Sequence, residues 1–154
     1  MQTNRRARQR GQTIVEFALL APIIILFLFV IVDFGIAMDR RIVLQDAVRE
    51  GARYAAVTDD LILIKDRTVA QAQDVINKDD VIVCYVDPET NALKTNPDVG
   101  DAVDVCEKNF QYDPFMIRGG PFGITVPKID MFLTGSARLE QKPTAASDSR
   151  CPCP

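Results

Sequence analysis

Two sets of side chains in this sequence have the types and spacing to do chemistry. One is a lone glutamate, Glu16, at the head of an apolar run; the other is four cysteines, Cys84, Cys106, Cys151 and Cys153, all downstream of that run. A carboxylate among hydrocarbon is costly, about 3 kcal/mol at a bilayer centre, so it calls for a partner or a place in the headgroup layer. An even number of thiols on one side of an apolar run suits disulfides in an oxidising compartment. The chain has no His, which removes the commonest general base and the commonest neutral metal ligand. No nucleophile, base and orienting group can be assembled, so no catalytic residue is expected and the chain does not read as an enzyme.

Glu16 admits two readings. Thr13-Ile14-Val15-Glu16 matches the capping box, in which Thr13 caps a helix and the glutamate satisfies a second free amide at headgroup depth. The other reading starts at Gly11. A cut after it leaves Gln12 as a new cationic N-terminus with Glu16 as the fifth residue. In a bundle of such helices the amine of one subunit pairs with the carboxylate of another, relieving two unpaired charges at once.

The thiols are similarly open. Cys84 and Cys106 fall on adjacent expected strands, where a bridge would contribute about 3 kcal/mol by the chain-entropy model, and the compartment favours that bridge over two free buried thiols. Cys151-Pro152-Cys153 lacks the CxxC spacing of redox and zinc motifs, leaving a bridge to another subunit, a strained local bridge or free thiols. Asp87, Glu89, Asn91 and Asp98 have the rough spacing of a calcium loop, but Ala92 stands where a sharp-turn glycine belongs, so a solvated turn is expected. Gly119-Gly120-Pro121-Phe122-Gly123 lacks the lysine and helix of a phosphate cradle and reads as a turn, with Phe115, Met116 and Phe122 as an exposed contact surface. No metal and no cofactor are expected.

The apolar run must position Glu16. Phe17 to Val32 holds no charge; these residues make about 24 Å of helix, and Thr13 to Met38 about 39 Å, against a hydrocarbon core of about 30 Å. Arg5, Arg6, Arg8 and Arg10 precede it and Asp39, Arg40 and Arg41 follow, which favours a cytoplasmic N-terminus and an exported remainder. The competitor is a secretory signal cut after Ala37; Asp33 near that point and a helical pattern that continues past it argue against this. Pro22 is expected to kink the span at most. Setting the four leader arginines aside turns the formal charge of −3 into −7, and an acidic body argues against nucleic-acid binding.

Beyond the span, Leu44, Ala47, Val48, Gly51, Ala52 and Ala55 recur on one helical face up to Val57, a stripe expected to pack on the domain's own sheet. Thr58-Asp59-Asp60 breaks the pattern, and a second helix is expected within Leu61 to Asn77, although Leu61 to Ile64 is ambiguous between helix and strand. Val81 to Val86, Ala102 to Glu107 and Ile129 to Gln141 read as strands, the first two joined by a turn-prone loop. The Gly- and Pro-rich segment from Phe110 to Lys128 reads as a broad connection. Lys142 to Pro154 is poor in apolar residues and is expected to be a flexible tail.

The order of basic leader, Gly11, Glu16 and apolar helix resembles the class III signal of type IV pilins and pseudopilins. With Val15 to Pro22 (VEFALLAP), Asp33-Phe34-Gly35 and Ala47 to Ala55 (AVREGARYA), the chain resembles the TadE-like (TadE/TadG) pseudopilins of tight-adherence pilus systems. Gly100 to Val105 and Leu133 to Glu140 also look like strand segments of that family, so the resemblance runs from about Arg8 to Glu140. It implies a leader cut by a prepilin peptidase between Gly11 and Gln12, with Glu16 as the processing or assembly carboxylate. It also implies a helix held in the bacterial inner membrane or a filament base, with other pilus subunits as partners and no small-molecule substrate.

The expected architecture is α+β: a leader (1–11), a transmembrane and stalk helix (12–57), an extracytoplasmic domain with a second helix and an antiparallel sheet of about three strands (58–141), and the tail (142–154). The expected function is assembly of a Tad-type pilus or related secretion machine by helix packing. The alternative is a single-pass protein whose extracytoplasmic domain binds a ligand or cell surface.

Overall fold

From Gln12 to Phe34 a long run of apolar residues and good helix formers holds no Asn or Gly, which favours one continuous helix. The computed structural model describes residues 3–73, 75–115, 127–151 and 153, of which 3–11 and Asn109 by backbone only. Helix α1 spans Thr3–Ala55 and includes Pro22. It begins well before Thr13, so Thr13 does not cap it: in the uncut chain its amide lies inside the helical ladder, and the capping-box reading is corrected. The Gly119–Gly123 turn, with Met116 and Phe122, lies outside the described residues.

The chain divides into two compact units, residues 1–37 with 113–127, and residues 38–112 with 128–154. In the first, α1 carries an 18-residue window of mean hydropathy 2.9 with none of it buried. That segment is long and apolar enough to cross a membrane. Phe17, Leu19 and Phe27 are all more than half exposed, whereas Asp33 is buried. Phe115 is also exposed.

The second unit is the α+β part. Helix α2, Leu61–Gln71, resolves the ambiguity at Leu61 to Ile64: Asp60 caps it, its carboxylate accepting from the amides of Ile62 (2.9 Å) and Leu63 (3.3 Å). A local side-chain cap of this kind fixes a helix start that the β-prone run alone leaves open. A single 3-10 turn, Lys78–Asp80, leads into β1, Val81–Val86. Strands β2, Ala102–Tyr112, and β3, Ile129–Arg138, complete an antiparallel sheet of order β1-β2-β3 among the described residues. Tyr85 lies opposite Val103 and Val103 opposite Ala137; the β2–β3 register shifts between Glu107 and Phe110.

The two sheet faces bury different things. Leu44, Ala47, Ala52 and Ala55 of α1 and Ile64 of α2 pack with Val81, Val83, Tyr85, Val103 and Val105 on one face. This is the use expected of the α1 stripe. Two glycines allow close approach there: a Cβ at Gly135 of β3 would collide with the Val48 backbone carbonyl of α1, and one at Gly51 with the Thr68 side-chain hydroxyl of α2. On the other face Ile82, Cys84, Val86 and Cys106 form a smaller cluster against Cys151 and Cys153. All six β1 residues are therefore buried, as in a strand covered on both sides. The covering on the second face is the C-terminal segment, so the expectation of a flexible tail is corrected.

Candidate functional site

Register decides the cysteine chemistry. Cys84 pairs across the sheet with Asp104, and Cys106 with Ile82. The two cysteines thus share a face but stand diagonally, about 7–8 Å apart, beyond what one disulfide spans. Each instead bonds to the tail: Cys84 to Cys151 and Cys106 to Cys153, with Cα separations of 5.8 Å and 5.9 Å. The expected Cys84–Cys106 bridge is corrected accordingly, and the tail cysteines are neither free nor bonded to each other. These bridges close loops of 67 and 47 residues, worth about 4 kcal/mol each in the chain-entropy model. Cys153 Sγ lies 3.8 Å from Cys84 Sγ, so the two bridges touch.

The tail is also fastened without sulfur. The Asp148 amide donates to the Val83 carbonyl (2.9 Å), the Ser147 hydroxyl accepts from the Tyr85 amide (3.0 Å), and the Arg150 guanidinium donates to the Val81 carbonyl (3.0 Å). These are the outward-facing groups of an edge strand, which the tail covers as a strap running antiparallel to β1; a bare edge would be a template for pairing with other chains. Asp148 anchors the strap to Lys65 of α2 (2.6 Å) and pairs within the strap with Arg150 (3.0 Å). The Arg150 guanidinium, with the Lys65 ammonium, holds the Asp148 carboxyl well below the usual carboxylate range. At the start of the strap Asp59 accepts from both the amide and the hydroxyl of Thr144.

Sequence reasoning missed Ser147, Asp148 and Arg150. The signal that points to them is the cysteines themselves: a tail that holds half of the thiols of an oxidised domain has partners to meet.

The acidic loop after β1 is occupied by its own chain. Asp87 accepts from the amides of Glu89 (2.9 Å) and Thr90 (3.0 Å), and the Lys94 ammonium sits between Asp87 (3.4 Å) and Asp101 (2.7 Å), where a cation would go. Asn91 takes a left-handed conformation, φ 54°. Among the described residues no group of three or more His, Cys, Asp or Glu could hold a metal ion. Beyond this loop the strap-side face of the sheet holds a polar cleft of about 310 Å³ lined by Asn91, Asp104, Ser136 and Arg138; burial raises the Asp104 carboxyl above its usual range.

In the first unit Glu16 is exposed on α1 and accepts from the Gln12 side chain one turn earlier, at 3.4 Å. Gly11 and Gln12 are consecutive residues of the same helix. The structure thus brings Gln12 and Glu16 together within one subunit.

No curated protein and no solved structure matches the chain. Residues 11–53 match the family model described as TadE-like protein, a stretch that includes Gly11, Gln12, Glu16, Asp33 and Gly51.

Proposed function

We propose that this chain is a membrane-anchored TadE-like pseudopilin, a minor pilin that takes part in assembling a Tad-type pilus or related secretion machine. The observation that carries the proposal is the family match over residues 11–53, on a helix whose apolar window is wholly exposed. That surface has lipid or other subunit helices as its occupants. The chain sits once in the bacterial inner membrane, arginine-rich end in the cytoplasm and cysteine-bonded domain outside. A prepilin peptidase cuts between Gly11 and Gln12, and the freed Gln12 amine pairs with Glu16 of a neighbouring subunit. The role is structural and requires no catalytic group.

Intact mass and N-terminal sequencing of the protein from membranes test this. A mature start at Gln12 is expected. A start at Met38 would mean a conventional signal had been removed and would overturn the reading. An intact Met1 would favour a single-pass protein whose domain binds a ligand or cell surface, for which the polar cleft between Asp104 and Arg138 is the supporting observation.

A further inference from the structure

We propose that the four cysteines form one thiol–disulfide exchange cluster that latches the strap, residues 144–151 with Cys153, onto the edge of β1, opened by a dithiol reductant and closed when an external disulfide takes back the two electrons of each bond. Three observations combine. The two bridges lie on one sheet face with Cys153 Sγ 3.8 Å from Cys84 Sγ. The strap covers the outward carbonyls of Val81 and Val83 and the amide of Tyr85, while the Tyr85 carbonyl accepts from the Lys94 amide. The helix-side core contains no cysteine among its described members, whereas the strap-side cluster consists of Ile82, Cys84, Val86 and Cys106. Opening the strap therefore uncovers the β1 edge from Val81 to the Tyr85 amide and one small cluster and leaves the larger core packed, the behaviour of a local opening unit.

The chemistry proceeds in two steps. An external dithiol gives two electrons to the Cys106–Cys153 bond and becomes a disulfide itself, leaving Cys106 and Cys153 as thiols. The Cys153 thiol gives its proton to water, and the resulting thiolate attacks the neighbouring Cys84 Sγ. A Cys84–Cys153 bond forms, the Cys84–Cys151 bond breaks, and Cys151 leaves as a thiolate that takes a proton from water. The second step has no net oxidation. The strap stays tied to Cys84 before and after the exchange, so the latch opens fully only when both bonds are reduced. The anchors of Ser147, Asp148 and Arg150 hold the thiols near their partners and favour reclosure. This inference concerns the second unit alone and stands or falls independently of the pilus reading.

The test uses the full chain, purified in detergent and titrated with dithiothreitol, with thiols trapped by alkylation and bridges located by fragmentation mass spectrometry. The expected one-bridge intermediate contains Cys84–Cys153 with Cys106 and Cys151 alkylated. A Cys106→Ser variant should hold a mixture of Cys84–Cys151 and Cys84–Cys153. Full reduction should speed amide exchange at Tyr85 and Asp148 about tenfold or more while leaving Val103 and Val105 within about twofold. An intermediate and a variant with Cys84–Cys151 alone would overturn the exchange step. Loss of protection throughout the domain on reduction, or no change at Tyr85 and Asp148, would overturn the latch.

Discussion

A carboxyl group with neither oxygen hydrogen-bonded among the described residues lies fully buried on β2: Glu107, between Val81 of β1 and Leu133 of β3. By strand alternation it shares the helix-facing side with Val103 and Val105. Burial pushes it up to about 7; the Phe110 amide offsets part of this without reaching hydrogen-bond geometry, and the Asp80 carboxylate adds to it. The alternation of Ala102 to Glu107 puts this glutamate on the face of Val103 and Val105, but nothing in it marks the carboxyl as left without a partner, because its environment is set by strands far away in the sequence. The ordinary value is 4.5, so the folded state holds the proton more tightly than the unfolded one. The stability from the neutral form is complete below about pH 4.5 and is lost as pH rises through about 7. Glu107→Gln removes that dependence. Denaturant unfolding followed by circular dichroism should show the variant gaining on the parent by up to about 3 kcal/mol between pH 4 and pH 8. The readout is the difference between the two pH values, since the buried amide is unpaired at both; equal effects at both would show that Glu107 titrates in the fold as it does in the unfolded chain, with no upward shift.

Elements were legible where a local pattern sets them and illegible where a distant partner does. The α1 stripe, β1 with its β-branched residues and the alternation of β3 all follow from periodicity. The bridges did not, because two cysteines on neighbouring strands look pairable until the register shows them diagonal. The strap was hidden for the same reason: its few apolar residues matter less than the β1 groups it meets. Gly135 lies between these cases. It breaks a strand pattern, which sequence flags as a close backbone approach, but only the fold names Val48 and Arg49 of α1 as what approaches. Because both sides of that contact are backbone, no rotamer change relieves an added methyl. Gly135→Ala is expected to cost about 1–3 kcal/mol of unfolding free energy. Gly35→Ala in the same α1, where nothing lies within 4 Å, is expected to be neutral or slightly stabilising by helix propensity. Chemical denaturation in detergent compares the two; a harmless Gly135→Ala would mean that β3 and α1 do not meet there.

At the scale of the whole molecule the question is whether Glu16 serves the chain that carries it or its neighbour. In the uncut helix Glu16 sits among ten or more preceding residues and takes a weak 3.4 Å donation from Gln12. A cut after Gly11 changes its position relative to the helix end. Gln12 becomes the terminus, four amides lose their partners, and Glu16 enters the first turn, where the helix dipole favours an anion. The same dipole disfavours the new amine, which then has two carboxylates to choose between: Glu16 of its own chain, one turn away, or that of a neighbour. Within one chain the pair is exposed and screened and contributes little. Across a bundle in lipid it is desolvated, and losing one partner leaves an uncompensated charge. Glu16→Ala should therefore impair processing or assembly while leaving the second unit folded, because the core residues of that unit begin at Leu44. Expression in a strain with the machine, followed by mature mass, recovery in sheared filaments or assembly intermediates, and disulfide content, measures all three. Loss of assembly with both bridges formed is the expected result. Unchanged mature length and unchanged assembly would leave Glu16 as an exposed polar residue near the end of a plain anchor and remove charge pairing from the mechanism.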